Sequence, residues 1–340
     1  MAGRSSLRLA TLAFAVALSA ACVPDGTTPT DPTSTTTSTS TPTTAPTTTT
    51  TTSTTTSTTT TTAPDRCAAR GPGVDLHACN LTGANLAWLD LTGANFTDAT
   101  LTNADLTGAH LTGTTLTRAV LAGASLLAVT SGGIVGVPAS LPALTVLGHG
   151  YLVGRTAQLG GADLSGLDLR AASLADATLT GANLSSTDLT GVDAHGSVLT
   201  GATVTGTKFA GATLTGVVSG GLVGTPSSLP STAWRLIAGY LVGPGAFLGH
   251  AQLHGANLSG LDLTGTFFES TDLSSANLSG SNFTGDQFNG ANVAGANMAS
   301  ANLTNTNFGG VTGTPSTLTG IVYSNTICPN HTVVPPGTCW

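Results

Sequence analysis

Leu81-Thr82-Gly83-Ala84-Asn85-Leu86-Ala87-Trp88-Leu89-Asp90-Leu91-Thr92-Gly93-Ala94-Asn95-Phe96 runs on a five-residue beat. From Leu81 to Leu126 every fifth position, here called the centre, is Leu or Phe, and the residue two before it is small or apolar, most often Ala. Asn, Asp or Thr precedes the centre, Thr often follows it, and glycine commonly comes next, as at Gly83, Gly93, Gly108 and Gly113. This period fits neither the 3.6 residues of an α-helix turn nor the two-residue alternation of a strand. The chain must therefore turn at every pentapeptide. In a square coil the centre and the residue two before it point inward, the others face solvent, and glycine relieves the corner.

The beat extends far beyond its opening stretch. A second array runs from Leu159 to Leu214 and falters at Ala194; a third runs from Leu248 to Phe308 and carries Asp286 at an inward, normally small place. A carboxylate there predicts a local bulge or satisfaction by turn amides. Repeated in this way, the pattern resembles that of the pentapeptide repeat proteins, whose motif is Ala, then Asp or Asn, then Leu, then two variable residues. The resemblance implies an all-β fold, a right-handed quadrilateral β-helix with about twenty residues per coil, stable only when coils stack.

Between arrays the beat stops. Ser131 to Pro142 returns as Ser219 to Pro230, and both stretches lead to Gly-Tyr-Leu-Val-Gly, at Gly150 to Gly154 and Gly239 to Gly243. These segments predict two β-hairpins turning at His149-Gly150 and Ala238-Gly239. Similar interruptions occur in actinobacterial pentapeptide proteins, so the resemblance is to an exported actinobacterial type with a Thr-rich stalk. The plan is a signal peptide at 1–22, a disordered linker at 23–64, a cap at 65–80 and arrays at 81–130, 157–218 and 246–308. Interruptions occupy 131–156 and 219–245, and a C-terminal cap with Pro335 and Pro336 occupies 309–340.

Composition supports export. Arg4 and Arg8 precede an apolar run from Leu9 to Leu18 and the small residues Ser19 to Cys22, the three parts of a secretory signal. The run is too short to span a bilayer. Cys22 resembles the lipidated first residue of mature bacterial lipoproteins, although Ser19 stands where Leu is usual; simple cleavage near Ala20 or Ala21 is the other reading. Residues 23–64 are almost entirely Thr, Ser and Pro and supply no core, which predicts a disordered spacer suited to O-glycosylation. The other cysteines, Cys67, Cys79, Cys328 and Cys339, form an even set in an exported chain and favour disulfides. Three pairings can be drawn; Cys67 with Cys79 and Cys328 with Cys339 is the simplest, since each couple lies at one end of the arrays.

No catalytic constellation emerges. The net charge is −7 with 7% charged residues, and no basic patch suggests nucleic acid. Glu269 is the sole glutamate and the seven histidines are scattered. His250 and His254 lie on adjoining pentapeptides but lack a third ligand. Asp168, Asp188 and Lys208 predict one outward column and Asn257, Asn277 and Asn297 another, read as solubility and ladder bonding or as a binding face. Thr92 with Thr112 and Thr97 with Thr117 form hydroxyl columns that neighbouring Gly and Asp interrupt.

The reading that follows is a non-enzymatic solenoid without cofactor or metal, secreted or at the cell surface, anchored by lipid if Cys22 is modified. It would act as a structural module or bind a protein or a cell-envelope polymer. Two other classes stay open: a carbohydrate-binding or metal-dependent surface protein using the interruptions, and an acidic DNA mimic that inhibits topoisomerases, a mechanism known in one branch of the family resembled.

Overall fold

In a computed structural model, the chain divides into Met1–Thr60 and Thr61–Trp340. The structure describes residues 65–334 and 339, all in the second unit. The signal peptide with Cys22, the linker at 23–64, Pro335 and Pro336 lie outside the described residues.

The described chain is a right-handed quadrilateral β-helix, in which residues twenty apart pair in parallel along its sides, beginning with Asp75 and Asn95. The pentapeptide around Phe96 shows why the motif folds this way. The Asn95 amide donates to the Val74 carbonyl (2.9 Å) in one neighbouring coil, and those of Phe96 and Asp98 donate to Thr115 and Thr117 carbonyls (2.8 and 2.9 Å) in the other. The Ala99 amide closes the corner onto the Phe96 carbonyl (2.9 Å). One amide is left, that of Thr97, and the Asn95 side chain accepts it at 3.0 Å. Backbone donors must be paired or solvated, so Asn or Asp before the centre completes the set as an Asx turn. The same carboxamides also join coils: Asn95 donates to Asp75, Asn183 to Asp163 and Asn292 to Asp272, at 3.0 to 3.1 Å.

Inside, the centres form stacked rows. Leu86, Leu91, Leu106 and Phe96 are buried, as are Ala94, Ala99 and Ala104 two places before their centres. Phe268, Phe288 and Phe308 stack face to face with centroids 4.7 and 4.6 Å apart, and Phe283 meets Phe288 edge-on. Aromatic pairs at such separations add about 0.5–1.5 kcal/mol beyond area burial. Ala194 is buried at its centre, a short side chain between rows of leucine.

The ladder crosses the boundaries drawn from the beat. At the N-terminal end it starts at Asp75; at the C-terminal end Thr312, Thr317, Val322 and Ile327 add another coil. In the first interruption Val135 and Ser140 still pair with Thr115 and Val120. One face never breaks: Asp90, His110, Thr130, Gln158, Thr178, Val198, Val218, Phe247, Phe267, Gln287, Asn307 and Ile327 pair in succession.

The hairpins are inserted between consecutive members of that face, one between Thr130 and Gln158 and the other between Val218 and Phe247. Strands β1 (Val146–Gly148) and β2 (Tyr151–Val153) pair antiparallel, as do β3 (Arg235–Ile237) and β4 (Tyr240–Val242). Their two-residue turns have positive φ throughout, 47° and 80° at His149-Gly150 and 49° and 79° at Ala238-Gly239. Two such residues in sequence make the turn that matches strand twist. A short pair, β5 (Thr326–Ile327) with β6 (Val333–Val334), stands at the end of the last coil.

Candidate functional site

The two interruptions are built on one template. The Leu152 amide donates to the Ser131 hydroxyl (2.9 Å), and the Leu241 amide to the Ser219 hydroxyl (3.0 Å). Tyr151 covers Gly132 and Tyr240 covers Gly220, where a methyl group would meet the ring. Val146 pairs with Val153 and Arg235 with Val242, so Thr145 and Trp234, each one residue earlier, stand opposite Gly154 and Gly243.

At those equivalent places the chemistry differs. The Trp234 indole lies directly over Gly243 and is only 6% exposed. Thr145 reaches Gly154 with no more than its small side chain, 3.1 Å from where a methyl would stand. Beside Thr145 a cavity of about 340 Å³ opens between the coil of Ala124 to Val129 and the coils carrying Ser173, Ala175 and Asp193. The core records the same difference. Buried residues from Val153 to Phe308, Trp234 included, form one cluster, whereas Leu76 to Leu152 form another.

The cavity walls are apolar, with Leu126, Val129, Leu152 and Ala157 among them. Its polar lining includes Thr145, Arg155, Asp193 and His195, with Ser173 buried. Arg155 pairs with Asp176 at 3.4 Å and His195 with Asp193 at 2.8 Å. Hydrogen bonds from His195, side chain first, hold the Asp193 carboxyl below the usual range. Arg155 is thus neutralised by Asp176, which lies outside the cavity lining, and Asp193 is hydrogen-bonded by His195.

The residues singled out from sequence lie elsewhere. Cys67 is bonded to Cys79 and Cys328 to Cys339. Asp168, Asp188 and Lys208 do share one ladder, and it carries both signs: Arg170 holds Asp168 at 2.6 Å and Lys208 reaches Asp188 at 3.2 Å. The Arg170 contact draws the Asp168 carboxyl down to about 2. Asn257, Asn277 and Asn297 form an amide ladder at 3.4 and 3.3 Å. His254 bonds to Ser274 at 2.8 Å, and His250 sits at a corner with φ 61°. Among the described residues no three His, Cys, Asp or Glu side chains are grouped to hold a metal ion, and no helix is long and apolar enough to cross a membrane.

Asp286 is wholly buried without a bulge, its own amide donating normally to the Phe283 carbonyl (3.1 Å). One carboxyl oxygen accepts the Thr266 amide at 3.0 Å. Burial pushes the group up to about 9, so it is a neutral acid at neutral pH. The cavity at Thr145 was the residue-level feature missed. Its signal was the mismatch of Thr145 and Trp234 when the two interruptions are aligned with the one-residue insertion before Trp234.

A four-sided parallel coil with Asx-capped pentapeptides defines a class, the β-solenoids whose scaffold is repetitive and whose interruptions are individual. The family described as pentapeptide repeats matches in eight copies, at residues 72–98, 94–126, 157–191, 179–216, 251–285 and 287–312, more than half of the chain. The chain belongs to the pentapeptide repeat family. Among solved structures it is similar to HetL of the cyanobacterium Nostoc, titled as involved in heterocyst differentiation regulation: 22% identity over 77% of this chain and 90% of that one, TM-score 0.23. It is also similar to a pentapeptide repeat protein of the Arabidopsis thaliana thylakoid lumen (19% identity, 46% and 69% covered, TM-score 0.18). QnrB1, titled a plasmid-mediated fluoroquinolone resistance protein, matches at 17% identity over 74% and 92%, TM-score 0.20. At such TM-scores these likenesses carry no argument about activity. No curated protein sequence matches the chain.

Proposed function

We propose that the chain is an exported, non-enzymatic solenoid acting at the cell surface as a structural or interaction module for a protein or cell-envelope polymer. The observation that carries this reading is the pair of disulfides, Cys67–Cys79 and Cys328–Cys339, one at each end of the coil stack. Disulfides persist in oxidising compartments, and open solenoid ends need covers. Some outward charges serve the scaffold, as in the Asp98–Arg118 and Asp188–Lys208 pairs between coils. A second reading, a small-ligand or carbohydrate-binding surface protein using an interruption, is favoured by the cavity beside Thr145.

Surface labelling of producing cells followed by mass mapping of the mature N-terminus tests the location. The expected product starts at Cys22 carrying lipid, or just after Ala20 or Ala21 without it. A cytoplasmic chain that keeps Met1 and Arg4 would overturn the proposal.

A further inference from the structure

We propose that the cavity at the first interruption binds a planar, fused-ring aromatic group of indole size, carried by a small molecule. The chain itself provides the precedent. The hairpin registers make Thr145 and Trp234 equivalent, and at the second hairpin an indole seals the corresponding seam. At the first, Thr145 leaves about 340 Å³ between walls that include Leu126, Val129, Leu152 and Ala157. An apolar cavity of about 150 Å³ accommodates benzene, so a fused bicyclic ring fits this one with room for a substituent. Ligand sites combine such walls with a few convergent polar groups, and Thr145 and the buried Ser173 supply hydroxyls to the lining.

Charge narrows the class further. Arg155 faces Asp176 and His195 faces Asp193, so the rim has no unmatched cation to demand an anionic ligand. A neutral aromatic compound with one hydrogen-bonding edge, such as indole itself, satisfies both walls and rim. The site lies between the two buried clusters. A bound ring would touch both and take the place that Trp234 fills in the other hairpin. This inference concerns the cavity alone and stands whether or not the chain is exported.

Indole titrated into the full chain, followed through methyl resonances, tests it. Saturable binding of one indole per chain is expected, with Kd of about 1 mM or tighter, shifting the methyls of Leu126, Val129 and Leu152. Replacing Ala143-Leu144-Thr145 by the Ser-Thr-Ala-Trp sequence of residues 231–234 should weaken binding at least tenfold, as should Ala175→Leu, which narrows the cavity from another coil. Trp234→Thr should open a second site. No saturation at ten times that concentration, or saturation with unmoved methyls at 126, 129 and 152, would overturn the proposal. Undiminished binding in the filled variants would do the same, as would capture of a Trp-containing peptide without capture of free indole.

Discussion

The Thr266 amide donates to the Asp286 carboxyl at 3.0 Å, and the two residues belong to one buried column with Thr306 and Thr326. Each threonine hydroxyl in that column donates to a carbonyl 23 residues earlier: Thr266 to Gly243, Thr306 to Phe283 and Thr326 to Leu303, at 2.7 to 3.0 Å. Asp286 has one oxygen on the Thr266 amide and its other oxygen without a partner. Unless protonated it would be a buried anion among hydroxyls and phenylalanines.

That column makes stability depend on pH. The Asp286 group sits near 3.8 in an unfolded chain and is raised to about 9 in the fold. Below 3.8 both states hold the proton; between 3.8 and 9 only the folded state does, so stability falls as pH rises, with a limiting slope of about 1.4 kcal/mol per pH unit. Asp286→Thr restores a hydroxyl that reaches the Leu263 carbonyl. Urea unfolding should show this variant gaining on the parent as pH rises from 5 to 8, by up to about 1.4 kcal/mol per pH unit, with the gain vanishing towards pH 4. A difference that grows on acidification would contradict a neutral Asp286.

Corner conformation sets a second, smaller effect. Gly83 has φ 65° with no atom within 4 Å of the place a methyl would occupy, so Gly83→Ala meets backbone strain alone. Ala78 holds the equivalent place in the preceding pentapeptide with φ 56°. Left-handed backbone costs an L-residue about 1–2 kcal/mol, part of which returns through the freer unfolded chain of glycine. Unfolding free energies from denaturant titration should fall for Gly83→Ala and rise for Ala78→Gly, each by about 0.5–1 kcal/mol.

The N-terminal cover is the third. Cys79 is 1% exposed at an inward place, and its bond to Cys67 closes a short loop over the first coil. Cys67→Ser should cost about 2–3 kcal/mol. Its effect should concentrate near the entry, where the amides of Leu76, Ala78 and Leu81 donate to the next coil. Faster exchange of those amides, with Phe283 and Phe288 unchanged, is the expected signature.

How much of this was legible follows from what each residue must do. The inward leucines and alanines reveal the coil because burial imposes a strict period, and Tyr151 to Val153 with Tyr240 to Val242 reveal the hairpins because their turn glycines are fixed. The use of Asn95 as a cap for the Thr97 amide was hidden, since an outward polar residue reads as solubility or as ladder bonding between coils. Val135 and Ser140 keep the ladder without the motif, so the beat ends before the coil does. Asp286 gave a choice between bulge and amide capping; geometry selects capping of one oxygen by Thr266. The cavity needed the hairpin registers, because a one-residue insertion before Trp234 obscures its equivalence to Thr145.

The two like interruptions differ in closure, one sealed by Trp234 and the other left as a seam at Thr145. The unbroken face offers a matched pair of probes: the Gln158 amide donates to the Val129 carbonyl beside the first hairpin, and the Phe247 amide to the Val217 carbonyl beside the second, both at 3.0 Å. Native-state hydrogen exchange reads the opening free energy at each. Phe247 should exchange only with its surrounding core, and Gln158 through an easier, separate opening. Equal protection at the two amides, or weaker protection at Phe247, would contradict that difference in closure.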